Sequence, residues 1–167
     1  MKRLAAALLF VAGAAQAQIA VTPERTEAAG YAVTHWLLVL NLVRNCEPFA
    51  QQIGREPMTA LRPWRARNAE RVNAAEAYFV FARAAVEKRG GALAGEDFRA
   101  QTHGLFVEQA NTTLNDIFGA TGPQPAVCKR WIDAIADGEV DLNWQSKYMP
   151  VLDELVEFAR KVGPNAR

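Results

Sequence analysis

Apolar positions recur at three- and four-residue spacing along the chain and show no sustained two-residue alternation, so the pattern predicts helices and no strands. The most apolar run outside the extreme N-terminus is Tyr31 to Cys46, YAVTHWLLVLNLVRNC. In it Ala32, Trp36, Val39, Val43 and Cys46 form one stripe, and Leu37, Leu40 and Leu42 widen that stripe. Only Thr34, Asn41 and Asn45 remain as a clear polar line. A helix this apolar is expected to be central, or covered on most sides. Its start is marked by Thr22 as a cap, Pro23 at the first helical position, and Glu24 and Glu27 at the positive end of the dipole.

Residues 47–61 read as a connector holding Pro48, Gly54 and Pro57. A second helix is predicted from near Pro63 to Arg89, with Val72, Ala75, Phe79, Ala82 and Val86 inward and Gly90-Gly91 as its stop. A third is predicted from Glu96-Asp97 to Phe118, and a short fourth from Pro125 to Asp137, ending at Gly138. A fifth begins near Pro150 and ends before Gly163-Pro164. Trp36, Val39, Phe79 and Leu114 are the expected core markers. Short connections favour alternating directions, so the expected fold is all-α, an up-and-down bundle of about four to five helices.

The N-terminus changes the compartment. Lys2 and Arg3, the apolar stretch Leu4 to Val11, and Ala15-Gln16-Ala17 make the three parts of a Sec-type signal peptide over residues 1–17. The mature chain is then residues 18–167, expected as a single helical-bundle domain, periplasmic or secreted, with no transmembrane anchor. Loss of Lys2 and Arg3 takes the formal charge from +1 to about −1, which gives no global case for nucleic acid. Of the 2 cysteines, Cys46 ends the first helix and Cys128 begins the fourth. In an oxidising compartment such a pair becomes a structural disulfide. Alternating helices bring both to one end of the bundle, and closing a loop of about 80 residues stabilises by roughly 4 kcal/mol in the chain-entropy account.

Candidate chemistry is sparse. His35 and His103 both lean toward apolar helix faces, so a metal or haem site between the first and third helices is one reading; separate, backbone-bonded histidines are the other. No third ligand and no C-x-x-C-H, E-x-x-H or H-E-x-x-H pattern accompanies them. Gly30 and Gly104, inside helices, raise the question of a close approach by another group. Asp133 to Asp141 resembles part of a calcium loop, but Ile135 and Trp144 stand where ligands belong, so solvated acids after a glycine-ended helix are expected.

Arg55, Arg62, Arg65, Arg67 and Arg71 gather at the start of the second helix around Trp64. They form either a surface for an anionic ligand or acidic partner, or internal pairs with the acid-rich C-terminal third, where Glu154 and Glu157 would meet Arg62, Arg65 or Arg71 if the fifth helix runs upward. No phosphate loop, nucleophile elbow or triad is present. The expected function is therefore a non-enzymatic interaction or binding module, of inhibitor, immunity or chaperone-like kind, acting on another periplasmic or envelope protein or an anionic ligand. No cofactor is required by this reading. The alternative is a bundle holding haem or a transition metal through His35 and His103.

Overall fold

The first helix, α1 (Pro23–Cys46), starts where the capping residues place it: Thr22 Oγ1 accepts from the Arg25 N–H at 3.3 Å. The computed structural model describes residues 19–142 and 146–162, so the expected signal peptide and Trp144 lie outside the described residues. A single turn, α2 (Ala50–Ile53), closes on Gly54 at φ 70. The long α3 (Pro57–Phe118) follows, then α4 (Pro125–Asp137), a 3-10 turn at Ser146–Tyr148, and α5 (Met149–Val162).

α3 contains two helices. Gly91 has φ 84 and ψ 174, outside helical values and in a region favoured by glycine, so the chain reverses there. Residues 57–90 and 92–118 form an antiparallel hairpin, in which Arg83 pairs with Glu96 and a side chain at Gly95 would meet Glu87 Cβ at 3.0 Å. The glycine pair is thus the expected stop. The flanking helices reach further than expected, beginning at Pro57 and at residue 92. Pro57, Ala60 and Leu61 are buried, so packing extends the first of them past Pro63.

Paired side chains give the directions. Tyr78 meets Thr26 at 2.9 Å, and Trp64 stacks on Trp36 with centroids 5.6 Å apart, so 57–90 runs antiparallel to α1. Phe106 lies beside Gly30, and Asn111 bonds Asn41 at 3.3 Å, so 92–118 runs parallel to it. The Cys46–Cys128 disulfide, with Cα atoms 5.4 Å apart, starts α4 at the top of α1, as expected. α4 then descends to His35, which bonds Val140 just beyond the end of α4.

The fifth helix departs from the alternating plan. Tyr148 stacks on Tyr31 at 4.8 Å and Glu154 pairs with Arg25 at 3.2 Å, so α5 runs downward in continuation of α4. Length explains this. α4 has 13 residues against 24 in α1, so it covers about 20 Å of a helix about 36 Å long. The 14 residues of α5 fill the remaining half of the same groove. The result is an all-α bundle with four columns, the last built from two short helices.

The core marks Val39 and Leu114 as buried, as expected, while Trp36 and Phe79 are only half-buried. The largest fully buried side chains of α3 are instead Trp64 and Tyr78. Among the described residues, no helix is long and apolar enough to cross a membrane.

Candidate functional site

Two regions meet at His35. On one side, the connection after α4 is clamped to α3. Gly138 takes φ 85 to end α4, and the next residues turn back onto 57–90. Val140 O accepts from both His35 Nε2, at 2.6 Å, and Trp64 Nε1, at 3.1 Å. The buried Asn68 donates to Asp141 Oδ1 at 2.8 Å and to Trp64 O at 2.8 Å, and accepts from the Leu142 N–H at 2.9 Å. Arg67 grips Asp141 through two nitrogens, at 2.6 and 3.2 Å, and donates to Ile135 O at 2.9 Å. Asp141 is 8 % exposed, so it is a buried and paired acid, not a solvated one.

On the other side lies a cleft of about 1180 Å³ between α1, residues 106–117 and the stretch of the fourth column where α4 gives way to α5. Its walls are mainly apolar: Leu38, Leu42, Phe106 and Ile117 among them, with Trp131 and Tyr148 at one edge. Gly30 has a structural reason here, because a Cβ would stand 3.1 Å from the Phe106 ring. Gly104 does not share it; nothing lies within 4 Å of its would-be Cβ.

Most polar side chains of the cleft are already engaged. Thr22 caps α1, Thr26 bonds Thr22 O and Tyr78, Thr34 donates to Gln109 Oε1 at 3.3 Å, and Thr113 donates to Gln109 O at 3.1 Å. Two are not. The Tyr31 hydroxyl and the Trp131 indole N–H are buried with no hydrogen-bond partner among the described residues. An unpaired buried donor costs about 1–3 kcal/mol, so each is an unmet demand on this cleft. Burial, and then the neighbouring Tyr148, push the Tyr31 phenol up to about 12, so it stays protonated and able to donate. Burial likewise lowers the pKa of His35, against the opposing pull of the Val140 bond and the Asp141 charge. The neutral ring carries its proton on Nε2, since the Val140 carbonyl only accepts.

The two histidines have different surroundings. His35 lines the cleft, but its Nε2 is committed to Val140. His103 is exposed and does not line the cleft. Among the described residues no group of three or more His, Cys, Asp or Glu side chains is placed to hold a metal ion.

The arginine cluster is largely turned to internal use. Arg55 pairs with Asp133 at 3.5 Å, Arg67 with Asp141 and Arg71 with Asp153 at 3.0 Å. Arg65 lies over the Trp36 ring at 5.2 Å, and Arg62 is exposed. Trp64 cannot anchor a surface partner, because it is 1 % exposed and packed into the core. The acids also differ from those expected: Glu154 pairs with Arg25 and Glu157 with Arg160, because α5 runs downward.

Sequence reasoning missed Tyr31, Trp131 and Asn68. Tyr31 carried a usable signal: it opens the apolar run one turn before His35 and so shares its face. No protein-family model, curated protein or solved structure matches the chain.

Proposed function

We propose that the protein is an exported, non-enzymatic binding module that holds a small, mostly apolar molecule in the cleft beside His35. The observation that carries this reading is the cleft itself: about 1180 Å³ of space with apolar walls and two buried, unpaired donors in its lining. That volume lies a little above the usual range for small-molecule sites, about 300–1,000 Å³, and the lining matches their character, apolar with a few placed polar groups. The arginines offer weaker support for a surface partner, since Arg55, Arg67 and Arg71 are already paired with acids of the same chain. Export rests on the signal-peptide pattern and fits the Cys46–Cys128 disulfide.

The test is saturable binding of an uncharged fluorescent dye, Nile red, to the mature protein and to Thr113→Trp. Thr113 is exposed and lines the cleft, so a large ring there obstructs part of the cleft without entering the core. The expected result is one saturable site in the parent, weakened at least about tenfold in the variant, with the helical circular-dichroism spectrum retained. Absence of saturable binding, or equal binding by both proteins, removes the cleft as a ligand site.

A further inference from the structure

We infer that the cleft selects an uncharged, apolar ligand bearing a hydrogen-bond acceptor oxygen, such as a ketone or quinone carbonyl, which Tyr31 and Trp131 bind together or singly. This rests on the reading of the cleft as a small-molecule site and specifies its chemistry.

Three observations converge. First, the unspent groups are both donors. An indole N–H can only donate, and the Tyr31 phenol stays protonated across the physiological range. A ligand that brings only donors, or only hydrocarbon, leaves them unpaired. A site built to bond a polar atom discriminates against the analogue lacking it, because its own groups then stay buried and unsatisfied. Second, three of the lining hydroxyls are already spent, since Thr26, Thr34 and Thr113 donate within the protein. Third, charge argues against an anion. Among the described residues no lysine or arginine lines the cleft, and the one carboxylate, Glu27, is exposed. An anionic acceptor would meet apolar walls and a like charge, and the nearby cation, Lys147, sits exposed over the Tyr148 ring, where solvent screens it and Glu27 already draws on it. A neutral carbonyl meets the two donors without that cost.

Both donor atoms are buried, so neither is open to the cleft as it stands. The ligand oxygen reaches them by a small shift of half-buried rings, of which Tyr148, stacked on Tyr31, is the nearest to hand. Binding therefore perturbs that stack, which gives a signal independent of affinity.

The experiment compares two nearly isosteric planar molecules, fluorene and 9-fluorenone, with fluorene-9-carboxylate as the charged third. Each is titrated into the mature disulfide-bonded protein and into Tyr31→Phe and Trp131→Phe. Fluorenone is expected to bind more tightly than fluorene by about three- to tenfold per donor engaged. At least one of the two variants should lower fluorenone affinity by a similar factor while leaving fluorene unchanged. The tyrosine ultraviolet absorbance should shift on addition of fluorenone to the parent. Tyr31→Phe removes a hydroxyl with no partner among the described residues, so it should melt no lower than the parent; that separates a lost ligand bond from a damaged fold. Equal binding of fluorene and fluorenone, insensitive to both variants, overturns this inference and leaves the cleft as a plain apolar site. Tightest binding of the carboxylate also overturns it. If neither neutral molecule nor Nile red binds saturably, the reading of the cleft falls as well.

Discussion

The two sides of α1 are built differently. Toward 57–90 and the turn after α4, polar groups are bonded in a closed set: Trp64 and His35 to one carbonyl, Asn68 to three partners, Arg67 to Asp141. Toward 92–118 the same helix makes looser contacts, Thr34 to Gln109 and Asn41 to Asn111 at 3.3 Å each, and leaves the cleft. Residues 57–90 bury Trp64, Asn68, Val72, Tyr78 and others, whereas 92–118 buries only Gly95, Ala110, Leu114 and Phe118. One side fixes the positions of the helices; the other leaves room between them. A binding site belongs where packing is incomplete and donors are unspent, and in this bundle both conditions hold on the same side.

The contrast is broken most sharply by deleting one large ring from each side. Trp64→Ala removes a fully buried indole and one of two donors to Val140 O, and should cost about 3–5 kcal/mol in urea unfolding. Phe106 is half-buried over Gly30 and beside the cleft, so Phe106→Ala should cost less, about 1–2 kcal/mol, because less surface returns to water. Equal losses would mean that the two sides contribute alike.

A smaller effect separates the polar contacts. Asn68→Ala leaves the Leu142 N–H unpaired and Asp141 short of one donor in a buried site, for an expected loss of about 1–3 kcal/mol. Thr34→Ala removes a long, 3.3 Å bond that is open to solvent, where changes of about 0.5 kcal/mol or less are usual. A Thr34→Ala loss as large as that of Asn68→Ala would show the 92–118 side to be as tightly specified as the other.

Much of this organisation could be read from the chain, for identifiable reasons. The glycine pair at 90–91 and Gly138 act through local backbone geometry, so the stops they impose were visible. The disulfide followed from two cysteines at matching helix ends. The direction of α5 was not visible, because it depends on how much of a groove α4 leaves open, which is a tertiary quantity. Trp64 read as part of a surface because arginines surround it in sequence; its ring points inward while Arg62 and Arg65 flank it on other faces of the same helix. Asn68 and Asp141 read as ordinary polar residues because their burial comes from partners far apart in the chain, including each other. The cleft left still less trace. Unpaired donors are defined by missing partners, and a sequence does not show which partners a tyrosine or tryptophan fails to find.

The smallest expected effect lies at the seam between the two sides, at His35. Burial holds its folded pKa below the ordinary value of 6.5, with the Val140 bond and Asp141 pulling the other way and limiting the shift. The unfolded chain takes up the proton at about pH 6.5, and the folded protein only at lower pH. Between the two values the unfolded state binds more protons, so stability falls as pH falls. The contribution from neutral His35 is complete above about pH 6.5 and is lost progressively as pH drops toward the folded pKa. Acidic groups titrate as well, so the measurement needs a comparator. His35→Gln keeps a donor for Val140 and cannot ionise. The stability of the parent relative to this variant should decrease from pH 7.5 to pH 5.5 in urea unfolding. A constant difference would place His35 in contact with water, with the cleft wet up to the clamp. A difference that grows in favour of the parent at low pH would mean that Asp141 holds an imidazolium there, making the seam an ion pair in place of a neutral hydrogen bond.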